Sequence, residues 1–240
     1  MFFYYIDPLY IILVLPAVIF AMIASIKVNS TFNKYSKIPS YLGITGEQAA
    51  RRILNANGLH NVKIERVRGN LSDHYDPRRN VIRLSESTYS STSSAAIGVA
   101  AHEVGHAIQY ANNYAPIKLR NAIIPVTNIG SMLSVPLILI GLLIAALSPT
   151  PIGAYIAYVG VAFFALSTIF QLITLPVEFN ASSRAIKAIE SVAILDESEM
   201  TGAKKVLRAA AMTYVAALAV SMAQLLRLLI IVASNSNRRR

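Results

Sequence analysis

Three titratable residues stand inside an otherwise apolar run, "AAHEVGHAIQ", from Ala100 to Gln109. Burying polar groups without partners is expensive, so His102, Glu103 and His106 need a common reason to be there. The pattern H-E-x-x-H supplies one. On a helix, positions i and i+4 stand one above the other on the same face, so both imidazoles can reach one ion. Zinc suits the pair, because it takes neutral imidazole nitrogen at about 2.0–2.1 Å and keeps a fourth position open in catalytic sites. Glu103 is turned roughly 100° around the helix, where it can take a proton from a metal-activated water without occupying the metal. One zinc ion per chain, used for hydrolysis at a carbonyl, is the chemistry this spacing allows. Gly105 is expected to keep the helix surface low where substrate approaches.

Two imidazoles and a water leave one position to fill. The chain has two other histidines, His60 and His74, and no cysteine. Disulfides, thiolate metal sites and cysteine nucleophiles are thereby excluded. His60 follows a helix stop at Gly58 on a polar surface. His74 falls in a strand region, as a residue of a substrate strand or of the surface. Glu178, in "LPVEFNASSRA", is the better third ligand. It begins a predicted helix where the chain leaves an apolar segment, and a carboxylate there has no other obvious partner. The competing reading is an ordinary glutamate favoured by a helix N-terminal dipole. His74 and Asp76 come next in order. Arg184, about two turns beyond Glu178, either steadies a carboxylate or oxyanion or is a solvated basic residue.

The elements around these residues belong to a membrane protein. The 240 residues are 55% hydrophobic and 14% charged, with a mean hydropathy of +0.51, which points to transmembrane helices. Residues 1–26 form an N-terminal anchor, since "MFFYYID" lacks the positive start of a signal peptide. Residues 27–121 form the catalytic region. "TGEQAARRILNANGL" reads as a helix with Thr45 as N-cap, Gln48 completing a capping box and Gly58 as the stop. "VKIERVRG" alternates as a strand. "LSDHYDPRRNVIRLSES" reads as strand, turn at Asp76-Pro77 and strand. A polar loop from Ser90 to Ser94 precedes the HEVGH helix. Residues 122–176 are a transmembrane hairpin around the uncharged turn "PTP", residues 177–208 a third-ligand helix and acidic loop, and residues 209–240 an apolar helix interrupted by Arg227 with a basic tail.

Net charge is +10, from 22 Lys+Arg and 12 Asp+Glu. No aromatic-basic interleaving of a nucleic-acid groove accompanies it, so the lipid bilayer is the expected partner and nucleic acid is not. The stretch between the first two spans carries 13 of the 22 cationic residues, the 147–153 turn none and residues 177–208 five. The positive-inside rule then puts the catalytic region in the cytoplasm and the N-terminus outside a multi-pass cell-membrane protein. A spanning fourth segment would carry Arg238, Arg239 and Arg240 outside, against that rule.

"AAHEVGHAIQ", "DHYDPRRNVIRLSES" and "LPVEFNASSRA" together resemble the YugP-like membrane neutral zinc metallopeptidases of bacteria. The resemblance extends over nearly the whole chain, including "TGEQAARRILNANGL" and the order of the spans. It implies an α-helical membrane protein of about four transmembrane helices with a small α+β zincin-like catalytic domain, on the plan of the HtpX-type membrane gluzincins. It also implies His102, His106 and Glu178 as zinc ligands and Glu103 as base. Many gluzincins carry an aspartate four residues after the ligand glutamate. Here that position is Ser182 and the nearest amide is Asn180, so the support of the zinc histidines departs from the pattern.

The leading expectation is a membrane-anchored zinc endopeptidase acting on peptide or protein substrates. The strand "VIRLSES" is expected to run along the active-site edge and pair with an extended substrate. The alternative is a non-catalytic zinc-containing membrane protein that binds partners or serves quality control, but a closed site is hard to assemble without cysteine. An intramembrane protease would need the motif inside a long span, and "SSTSS" and "NNY" bound the motif helix too closely.

Overall fold

The computed structural model describes residues 7–148 and 150–237. The first residues of the anchor, Pro149 of the hairpin turn and the Arg238–Arg240 tail lie outside the described residues. The chain divides into two compact units. One comprises Ala24–Lys118 with Leu175–Thr213; the other takes the chain up to Ile23, Leu119–Thr174 and the chain from Tyr214. Four helices are long and apolar enough to cross a membrane: Tyr10–Tyr35, Ala115–Leu147, Ile152–Ser191 and Glu197–Asn235. The protein is thus an α-helical membrane protein with a small α+β part.

The first of these helices begins with a π-helical turn, Tyr10–Val14, and continues as α1, Leu15–Tyr35. The sheet-bearing part follows. Helix α2, Gly46–Ala56, starts with the capping box read from its sequence: Thr45 accepts from the Gln48 backbone and Gln48 accepts from the Thr45 backbone. Strands β1 (Lys63–Val67), β2 (His74–Asp76) and β3 (Val81–Ser85) form one sheet in the order β1-β3-β2. β1 runs parallel to β3 and β2 antiparallel to it. This corrects the reading of "VIRLSES" as an edge strand. β3 is the middle strand, paired on both sides, so its backbone groups are already used. Its burial agrees, with Ile82 and Leu84 fully enclosed. Arg83 clamps both neighbours, reaching Glu65 of β1 at 3.2 Å and Asp76 of β2 at 3.0 Å. That guanidinium holds the Asp76 carboxyl below the usual carboxylate range.

A single turn of helix, α3 (Glu86–Tyr89), leads to α4, Ser94–Ala111, which carries the HEVGH residues. Ser93 caps α4 by accepting from the Ala96 N–H, and Asn113 turns the chain away with φ of 52°, a conformation asparagine tolerates. α4 is buried on nearly all sides: Ile97, Ala100, Ala101, Val104 and Ile108 pack with Ile53 and Leu54 of α2, Ile82 and Leu84 of β3, and Ile189. An all-round apolar helix of 18 residues belongs in a core, and it is not one of the four helices fit to cross a membrane.

Three long helices complete the chain: α5 (Ala115–Leu147), α6 (Ile152–Ser191) and α7 (Glu197–Asn237). In the apolar unit, α5 and α6 meet through small residues. A Cβ on Gly141 would lie 2.4 Å from the Ala157 nitrogen, and one on Gly153 would lie 2.3 Å from the Ala145 nitrogen. Such close backbone approach is how helices pack where lipid removes the hydrophobic drive. Arg227, the cation inside the last apolar run, bonds Asp7 through Nε at 2.7 Å and lies over the Tyr10 ring. The sequence reading placed a new helix start at Glu178. Instead α6 continues through Pro176 without a break, giving up one backbone hydrogen bond at the proline.

Candidate metal centre

Because α6 is continuous, Glu178 sits in a helix interior, far from any N-terminal dipole. Its competing role as a dipole-favoured residue therefore disappears. The side chain is 3% exposed, and burial of a carboxylate demands strong partners. Its Oε2 lies 3.3 Å from His102 Nε2 and 3.5 Å from His106 Nε2. Ligand atoms of all three residues lie within 4.8 Å of one another. Two ligands about 2.0–2.2 Å from one tetrahedral zinc stand roughly 3.3–3.6 Å apart. The two glutamate–histidine separations match that spacing, and the His/His/Glu donor set suits zinc.

The far side of each imidazole is held. His102 Nδ1 meets the Ser182 hydroxyl at 3.2 Å, and His106 Nδ1 meets Gln109 Oε1 at 3.0 Å. Ser182, four residues after Glu178, thus supports the His102 imidazole from the side away from Glu178. The Gln109 amide is oriented without ambiguity. Its Nε2 donates to the Val177 carbonyl at 2.8 Å and to Asn180 Oδ1 at 3.0 Å. Oε1 is left to accept from His106 Nδ1–H, so Nε2 is the ring nitrogen that a neutral His106 would offer to a metal. Gln109 is fully buried, and sequence reasoning missed its role. The available signal was its place one turn after His106 on the same helix. Asn180 in turn accepts from Arg184 Nε at 2.7 Å, and the Arg184 guanidinium lies 5.8 Å over the Tyr114 ring. Arg184 therefore steadies an amide and meets no carboxylate.

Glu103 is buried beside the two histidines. Burial pushes its carboxyl above the ordinary glutamate range, against the pull of the His102 and His106 imidazoles. A raised carboxyl suits a group that must accept and return a proton near neutrality. His74 is not brought into this cluster. It lies exposed on β2, with Nδ1 3.0 Å from the Ser72 carbonyl and Nε2 3.5 Å from Arg83. Asp76 is engaged with Arg83, as described. β2 is nevertheless tied to α4, since Tyr75 meets Tyr110 edge-on at 5.4 Å.

Gly105 has a different task from the one its sequence suggests. A Cβ there would lie 2.4 Å from the carbonyl oxygen of Ala181. The missing side chain lets α6 approach α4, and Ala181 is one turn beyond Glu178. Gly105 thereby sets the distance between the glutamate and the histidines.

A family profile described as "Putative neutral zinc metallopeptidase" matches residues 10–233. The "Putative membrane protease YugP" of Bacillus subtilis (strain 168) is 48% identical over 223 residues, covering 93% of this chain and 96% of the relative. No solved structure matches the chain.

Proposed function

Starting from a chain that belongs to the family described as "putative neutral zinc metallopeptidase", we propose that it is a membrane-anchored zinc endopeptidase. One observation carries the reading: a buried carboxylate from α6 converges on both imidazoles of an H-E-x-x-H helix. His102 and His106, through Nε2, and Glu178 would hold one zinc ion. Bound zinc supplies Lewis acidity toward a water and a peptide carbonyl. Glu103 takes the proton that the attacking water releases and delivers it to the departing amine nitrogen. Ser182 and Gln109 hold the imidazoles in place while this happens. The cluster has three histidine or acidic ligands among the described residues, which supports an open fourth position and disfavours a closed structural site. An extended substrate has the outer edge of β2 to pair with, since β3 is paired on both sides. The lysine and arginine distribution supports a catalytic region facing the cytoplasm.

The test is purified protein carrying Glu103→Gln. Zinc content is expected to stay near one per chain while peptide hydrolysis falls about 10²–10⁴-fold. Near-normal turnover in that variant would overturn the assignment of the base.

A further inference from the structure

A second site lies in the sheet-bearing unit, apart from the metal cluster. The C-terminal half of α1 and the first turns of α7 border a half-open cavity of about 530 Å³. Four cations line it: Lys27 and Lys34 from α1, Lys205 and Arg208 from α7. No acidic residue lines it. None of the four forms an ion pair among the described residues, whereas the adjacent Lys204 is paired with Glu190 at 2.9 Å. Lys34 and Lys205 instead flank the Tyr35 ring, at 5.7 Å and 5.8 Å from its centroid. Tyr35 is itself fixed, because a Cβ on Gly202 of α7 would lie 2.7 Å from its ring. Like charges from two helices are thus brought together around a held aromatic ring. All four cations are exposed, so they are open to an anion from outside and gain from its charge.

The cavity also has two ends of different character. Ser30 and Thr31 bring hydroxyls to it, while Ala209 and Met212 supply an apolar wall. The position along the chain explains the pairing. The apolar run of the first helix ends at Ile26, just before Lys27, and that of the last begins at Ala209, just after Arg208. The cavity therefore lies where two spans pass from hydrocarbon to water. A phosphate anion with an attached acyl chain matches both ends at once, and basic pockets between helices at this level bind anionic headgroups.

We propose that this cavity binds the phosphate of an anionic glycerophospholipid, with Lys27, Lys34, Lys205 and Arg208 around the headgroup and the acyl chain against Met212. Full-length protein is titrated with phosphatidylglycerol and with phosphatidylcholine in a neutral detergent, and bound lipid is counted by native mass spectrometry. Phosphatidylglycerol is expected to bind more tightly than phosphatidylcholine. The double variant Lys205→Gln/Arg208→Gln is expected to weaken phosphatidylglycerol binding roughly 25-fold, about five-fold per charge. Arg78→Gln/Arg79→Gln removes the same charge from an exposed turn beside the sheet and is expected to leave binding unchanged. An equal loss in both variants would make the effect one of net charge and overturn the site. Displacement of the lipid by millimolar inorganic phosphate would assign the cavity to a soluble phosphate and overturn the lipid. Equal affinity for the two lipids would overturn it as well.

Discussion

Replacing Gly105 with alanine tests whether the spacing of α4 and α6 sets the metal centre. The new Cβ would stand 2.4 Å from the Ala181 carbonyl oxygen and 3.1 Å from its carbon. Ordinary contacts need about 3.5–4.0 Å between carbons, so the helices must part by roughly 1 Å. Overpacking of this kind costs about 1–3 kcal/mol. The alanine returns about 1 kcal/mol through helix propensity, so the fold should survive. The centre should not, because metal–ligand distances tolerate only about 0.2 Å. Glu178 lies one turn before Ala181 and moves with it, away from His102 and His106. Zinc affinity is expected to fall by more than the roughly 10–100-fold seen when a supporting partner is lost, measured by competition with a chromogenic chelator. Gly98→Ala is the matched control. It lies on the same helix with the same gain in propensity, but its Cβ would meet Ala203 of α7 no closer than 3.2 Å at the Cβ and 3.3 Å at the Cα, and Ala203 is not on the helix that carries Glu178. It should keep zinc and hydrolysis. Wild-type zinc affinity in Gly105→Ala would refute the link between helix spacing and ligand geometry.

Glu178→Ala is expected to lose both zinc and hydrolysis, while Glu190→Ala, an exposed residue of the same helix, loses neither; elemental analysis with a peptide assay separates the two. Gln109→Leu removes the acceptor on His106 Nδ1, and zinc affinity should drop about 10–100-fold while circular dichroism is unchanged. Orientation can be read with single cysteines, because the chain has none of its own. A cysteine at Ser91 should be shielded from an impermeant thiol reagent in intact cells and one at Thr150 labelled, and the reverse pattern would invert the topology.

Local signals carried much of this structure. Thr45 and Gln48 announce the start of α2 through side chains that bond only neighbouring backbone, and the alternation in "VKIERVRG" marks β1 for the same local reason. His102, Glu103 and His106 were legible because their geometry is internal to one helix. Glu178 could be picked out because an acid at the end of an apolar run is costly. What could not be read depends on distant packing. Strand order is set by which chains meet, so β3 looked like an edge. A proline usually ends a helix, so the passage of α6 through Pro176 was hidden until its neighbours were known. Gly105 looked like room for substrate because the backbone that fills the room, at Ala181, is 76 positions away in the chain. Gln109 was passed over because its partners Val177 and Asn180 belong to another helix.

That separation has a consequence for how such a protein is made. On the proposed ligand set, His102 and Glu178 stand 76 positions apart in the chain, and the α5–α6 hairpin is threaded between them. A ribosome adding about 5–20 residues per second exposes the histidine pair several seconds before the glutamate exists. During that interval the nascent chain would carry two of the three proposed ligands and no complete centre, so the proposed hydrolysis would wait for the third. Only a chain whose hairpin has been synthesised can bring Glu178 back to α4. On the proposed function, the order of the polypeptide would thus delay completion of the centre until the hairpin has been made.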